Sequence, residues 1–203
     1  RKTARVLLVL DVSGSMKEPA DPDDPDGPTR LDLAKEAAIT ALDEFNADDE
    51  VGLRIFTSNL GPAEDQSYID LLPVGPMSTN RERLANLIRD QFPLYGTPLY
   101  EVAGSSFQAM SDSYDASRIN AVVLLTDGMN DDGDPTDDTN QFNELLATLQ
   151  RSTRGENSKP IRIFTIAYGK EADKDTLKQI AEASNAAAYD ASAKQKAQAK
   201  TSR

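Results

Sequence analysis

Four short, nearly unbroken apolar runs set the main constraint on how this chain can fold: residues 4–10, 51–57, 121–125 and 161–168. Residues 6–10 are entirely aliphatic, and 121–125 reads AVVLL. A strand with one wet face alternates apolar and polar residues. Continuous runs of this length instead suit strands covered on both faces, as in a parallel sheet between two layers of helices. A further run at 68–74 ends among Pro73 and Pro76, which cannot donate to a ladder, and so reads as an edge strand. A last short strand is predicted over 187–190.

Helical periodicity fills the gaps. Ala34, Ala37, Ala38, Ala41, Leu42 and Phe45 recur at three and four residues and make one apolar face, with Thr29 and Asp32 as a capping box before it. Thr79 and Glu82 have the same form ahead of Leu84, Leu87 and Ile88. Residues 98–113, with Leu99, Val102, Ala103, Ser106 and Met110 on one side, predict a third helix. Residues 142–149 and 177–183 predict a fourth and a fifth. The alternation implies an α/β fold: a three-layer, doubly wound, mostly parallel central sheet with one antiparallel edge strand and helices on both faces. No internal repeat or domain boundary appears, so one domain is expected over 1–190. Residues 191–203, basic and without large apolar side chains, read as a linker or helix end. The chain begins with Arg1, shows no signal peptide and has no apolar stretch long enough to span a bilayer. It is therefore expected to be a domain of a larger protein. An extracellular or cell-surface setting is favoured, with a cytoplasmic one also compatible.

Composition narrows the chemistry. The chain has no Cys and no His. That removes disulfides, thiolate nucleophiles, Ser-His-Asp triads and histidine-bound zinc. A metal would have to be held by oxygen, which points to magnesium, with manganese or calcium as alternatives. The 34 acidic and 22 basic residues leave a net charge of −12, which argues against a nucleic-acid partner. Nine of the acids lie in two loops, DPDDPDG at 21–27 and DDGDPTDD at 131–138. Neither loop fits the helix–loop–helix calcium pattern: Pro22 and Pro25 precede Gly27, and Thr139 stands where a Glu would follow Gly133. Solvated acids flanking the carboxyl edge of the sheet are expected, disfavouring acidic partners that lack a matching geometry.

The first strand runs into Asp11-Val12-Ser13-Gly14-Ser15, and the strand at 121–125 runs into Thr126-Asp127-Gly128. In a parallel sheet both ends lie at the carboxyl edge, where α/β folds bind ligands. Asp11, Ser13, Ser15 and Asp127 are thereby expected to meet. The alternate spacing of Asp11, Ser13 and Ser15, relaxed at Gly14, lets one carboxylate and two hydroxyls converge on a hard cation.

DVSGSM, GTPLY at 96–100 and TDG at 126–128 together resemble the three parts of the metal-ion-dependent adhesion site of von Willebrand factor A (VWA) domains. The resemblance covers roughly residues 3–190 and implies a Rossmann-like fold. It implies Asp11, Ser13 and Ser15 as the first metal-binding loop, Thr97 as the second-loop ligand and Asp127 as the third-loop acid, often acting through water. With only two acids in such a set, the ion stays electrophilic. It could take a Glu or Asp carboxylate from another protein as its final ligand. In the family, rearrangement of that coordination is tied to movement of the last helix, which the resemblance permits here.

Each motif has a plainer reading alone. D-x-S-x-S is a polar turn, Thr97-Pro98 a helix start with Thr as cap, and Asp127-Gly128 a turn. Their conjunction favours the metal site, and the expected function is a divalent-cation-dependent protein-binding module, not an enzyme. Two alternatives stay open. One is a metal-dependent hydrolase, although aspartyl phosphatases carry an acid where this chain has Ser13, and no G-x-x-x-x-G-K-[ST] loop is present. The other is an intracellular VWA subunit partnering an ATPase. Oligomeric state is not legible.

Overall fold

The run at 4–10 becomes the strand β1 (Ala4–Asp11), whose last six residues are all buried. Parallel neighbours flank it on both sides, β2 (Glu50–Leu60) and β4 (Ile119–Thr126). Beyond β4 lie β5 (Ile161–Ala167) and the short β6 (Ala188–Asp190), both parallel. β3 (Gln66–Pro76) pairs antiparallel with β2, giving one six-stranded sheet in the order β3-β2-β1-β4-β5-β6. The mostly parallel sheet with an antiparallel edge strand is thus as the sequence implies. This computed structural model describes residues 2–191, so the expected linker or helix end lies, but for Ala191, outside the described residues.

Successive residues of β1 serve opposite layers, which is why the run cannot alternate in polarity. Val6, Leu8 and Leu10 pack with Leu31, Ala34 and Ala38 of α1 (Arg30–Leu42) and Leu84 and Ile88 of α2 (Met77–Arg89). Leu7 and Val9 face the other way. They join Leu99 and Val102 of α3 (Leu99–Asp112), Leu145 and Leu149 of α4 (Asp138–Ser152), and Leu177 and Ile180 of α5 (Lys174–Ala183).

The Thr29–Asp32 capping box forms as expected, each side chain accepting from the other residue's backbone N–H at 3.0 Å. Its counterpart at Thr79 and Glu82 does not. α2 already starts at Met77, so Thr79 is inside the first turn and its hydroxyl donates to Pro76 O at 3.1 Å. Thr97 is likewise no helix cap, because α3 begins at Leu99 after Pro98, with no side-chain capping bond. α4 and α5 each begin earlier than their apolar spacing implies. Their first turns are polar, and in α5 the Asp173 carboxylate caps the start by accepting from Thr176 N–H at 3.2 Å.

The antiparallel edge depends on one glycine. The β2–β3 register shifts between Val51 and Leu53, and a Cβ on Gly52 would lie 2.6 Å from Val74 N and 2.8 Å from Leu72 O. Both neighbours are backbone and cannot rotate away. Gly52→Ala is expected to destabilise the domain by about 1–3 kcal/mol, in the range of overpacked cores. Urea unfolding of the two proteins measures this, and coincident midpoints would show that β3 yields without cost.

Candidate metal centre at the carboxyl edge of the sheet

From β1 the chain passes to β2 on one side, and later to β4 on the other, so the strand order reverses between β1 and β4. Their carboxyl ends form the crevice in which open α/β sheets bind ligands. The register pairs Leu10 with Leu125, which sets Asp11 beside Thr126 and Asp127 just beyond it. After Asp11 the chain turns through a single 3-10 turn (Gly14–Lys17), anchored by the fully buried Val12 and Met16.

Asp11 and Asp127 are completely buried, as is Ser13, and Thr97 is nearly so. One Asp11 oxygen accepts from Ser13 N–H at 2.8 Å and the other from the Thr126 hydroxyl at 2.6 Å. The Ser13 and Ser15 hydroxyl oxygens lie 3.1 Å apart. Burial, followed by the negative charge of Asp127, pushes the Asp11 carboxyl up to about 7, and the bonds from Ser13 and Thr126 only partly oppose this. The Asp11 carboxylate is therefore a poorly compensated anion next to two hydroxyl oxygens.

The second loop is drawn to the same place by its main chain. Gly14 N–H donates to Tyr95 O at 2.6 Å, and Leu94 N–H to Val12 O at 2.7 Å. Thr57 at the end of β2 accepts from Tyr95 N–H and donates to Gly96 O, both at 2.9 Å. Thr97 then exchanges two 2.8 Å backbone bonds with Asp131, at the head of the second acidic loop. The structure thus puts the carboxylates of Asp11 and Asp127 in one electrostatic neighbourhood, with the Ser13 and Ser15 hydroxyls in contact. It ties the Thr97 segment to the Asp11–Ser15 loop through Tyr95 and Leu94. No group of three or more acidic side chains among the described residues could hold a metal. The two buried acids and the Ser13 and Ser15 hydroxyls are hard oxygens, a chemistry that fits magnesium or manganese.

Sequence reasoning missed Arg30. It is the first residue of α1, yet its guanidinium lies buried against Asp127, with Nη1 3.1 Å from Oδ2. The separation of 97 positions hid this pairing. The signal that could have found it is an Arg at a helix start, where the dipole disfavours a cation.

The two acidic loops differ. Lys170, after β5, pairs with Asp21 and with Asp23, and those bonds raise its own pKa. Ala20 O also accepts from Lys170 N–H at 3.2 Å, which fastens the first loop to the segment after β5. In the second loop the hydrogen-bond partners are neutral groups: Thr136 for Asp134, Gln141 for Asp132 and Asn130 for Asp138.

A family model described as the von Willebrand factor type A domain matches residues 6–201. The chain belongs to that family. VWA domains are in general interaction modules that mediate protein–protein contacts, and many bind a divalent metal. Among solved structures, a von Willebrand factor type A protein from Catenulispora acidiphila is 17% identical, with a TM-score of 0.66, over 93% of this chain and 38% of that one. The manganese-loaded TRAP protein of Plasmodium vivax is 14% identical at a TM-score of 0.62, over 89% and 63%. The pilus adhesin SpaC from Lactobacillus rhamnosus GG is 17% identical at 0.65, over 99% and 30%. These likenesses establish the shared VWA fold, and this chain spans less than two thirds of each of those proteins. No curated protein sequence matches. No helix among the described residues is long and apolar enough to cross a membrane.

The Asp11 environment has a pH signature. Its carboxyl titrates near 7 in the folded, metal-free VWA domain and near 3.8 when unfolded. Between those values the folded chain holds a proton that the unfolded chain has lost. The Asp11 contribution to stability is therefore greatest below about 4, falls as pH rises to about 7, and is level above that. Asp11→Asn removes this dependence. In EDTA, the variant is expected to gain stability relative to the native chain as pH rises through that window, whereas parallel curves of melting temperature against pH would contradict the assignment.

Proposed function

We propose that this domain is a divalent-cation-dependent protein-binding module, in adhesion or assembly, and that its binding face is the carboxyl edge of the sheet. Asp11, Ser13, Ser15, Thr97 and Asp127 would hold the ion, magnesium in the first instance. When bound, the ion supplies a Lewis-acidic point that takes a Glu or Asp carboxylate from the partner.

The observation that carries this reading is the buried Asp11 carboxylate, whose charged form is disfavoured, in hydrogen-bonded contact with Ser13, whose hydroxyl lies 3.1 Å from that of Ser15. Burying such a group is costly unless a cation compensates it. Ser13 and Thr126 fix its two oxygens through hydrogen bonds, and Thr57 and Gly14 hold the Tyr95–Gly96 backbone to the end of β2 and to the first loop. The manganese carried by the Plasmodium vivax neighbour is consistent with a divalent ion in this fold.

The surroundings support a protein partner. Among the described residues five large apolar side chains are exposed, and three of them, Phe92, Tyr95 and Met129, lie in the segments after α2 and after β4 that carry Thr97 and Asp127. Solvent-exposed aromatic and Met side chains gathered at a polar centre are the composition of an interface core.

Metal binding should stabilise the fold by mass action, by about 2.7 kcal/mol for free ion at a hundred times its dissociation constant. For a domain of this size that is a rise in melting temperature on the order of 5–10 °C. Thermal melts in EDTA and in excess magnesium are expected to differ by this much for the native chain and not for Asp11→Ala. Identical melts for the native chain in the two buffers would overturn the metal-dependent reading.

A further inference from the structure

Arg30 stands out because several features conspire to bury a cation where none is favoured. It opens α1, and a positive charge at a helix N-terminus opposes the dipole. Its side chain is 7% exposed and Asp127 is 0% exposed, so the ion pair lacks solvent screening. Its Nε has no hydrogen-bond partner. The guanidinium lies against Gly169, where φ is +95° and an added Cβ would fall 2.6 Å from Nε. Its backbone is fixed independently: Arg30 N–H donates to Glu18 O at 3.0 Å, and the Thr29–Asp32 box sets the helix start. The second contact, Nη2 to Glu171 at 3.9 Å, reaches a largely exposed carboxylate and is weak.

The result at Asp127 is specific. Oδ2 accepts from Arg30, and Oδ1 accepts from Met129 N–H at 3.3 Å. Both oxygens are therefore engaged by the protein, and the negative charge is offset from the side facing α1. Resting on the metal-centre reading above, we infer that Arg30 is a positioning residue that weakens the domain's grip on its divalent ion, by fixing the Asp127 carboxylate and offsetting its charge. The ion is then held chiefly by Asp11 and neutral hydroxyls, and keeps more of its positive charge for the partner's carboxylate. Ion and partner become strongly interdependent, each raising the other's affinity by the same factor.

The test is magnesium binding measured by titration calorimetry at pH 8, where Asp11 is ionised. The native chain is expected to bind magnesium and Asp11→Ala is not. Arg30→Gln is expected to bind it tighter, by about tenfold, since a unit charge a few ångströms from a divalent ion is a large repulsion even at an effective dielectric of 20. An Arg30 that served only the fold would leave the affinity unchanged or lower it, and that result overturns the inference. Should Arg30→Gln not fold, Arg30→Met, which keeps the packing of the stem and drops the charge, takes its place. It must bind magnesium tighter than the native chain, and equal or weaker binding overturns the inference. If the native chain and Asp11→Ala both give no magnesium heat, the metal-centre reading fails and the role of Arg30 falls with it. If the native chain binds, Asp11→Ala does not and Arg30→Gln is no tighter, only the role of Arg30 fails.

Discussion

The parallel pairing of β1 with β4 is the constraint on which the rest of this domain depends. With Leu10 opposite Leu125, two strand ends separated by more than a hundred positions in the chain deliver Asp11 and Asp127 to one dry crevice. Nothing local favours that arrangement. Two carboxylates repel, and burial disfavours both charges. The sheet imposes it because each strand is locked by aliphatic side chains on two faces, Leu8 and Leu10 on one and Leu7 and Val9 on the other. Hydrophobic packing thus holds two buried carboxylates in place, with Arg30 offsetting the charge of Asp127 and Asp11 left to hydrogen bonds.

The charge around the crevice is uneven. One acid, Asp127, has a buried guanidinium, whereas Asp11 is held by a backbone N–H and a hydroxyl. The same asymmetry recurs in the loops. The 21–27 segment is clasped by Lys170, and the 131–138 segment is supported by hydroxyl and amide groups. The net charge of −12 is therefore not an even coat. Cationic partners, Arg30 and Lys170, stand on the side of α1 and of the segment after β5.

The fold was legible because its strands are short, aliphatic and uninterrupted, and because Pro73 and Pro76 marked the edge. Asp11, Ser13 and Ser15 were legible through their spacing, and Asp127 through strand topology. Thr97 was reached only by resemblance to the VWA pattern, and its local reading as a cap was mistaken, since its fixed neighbours are backbone groups of Asp131. Thr79 and Glu82 misled for a related reason. A capping pattern specifies a hydrogen bond only if the helix starts there, and α2, with Met77 packed in the core, starts three residues sooner. Arg30 was legible only as a cation at a helix start, and its partner not at all. Its pairing arises from the turn after β5, where Gly169 leaves room for the guanidinium, and no periodicity encodes that.

The margins of the sheet have a consequence for how such a domain meets other molecules. At one margin, β3 carries Pro73 and Pro76, which remove donors from the outer rung, and its ladder with β2 is irregular. At the other, β6 is only three residues long. Short strands and prolines are poor templates for recruiting a further strand. Copies of this domain can therefore be crowded, as on a surface or in tandem, with little tendency to zip together side by side through backbone pairing.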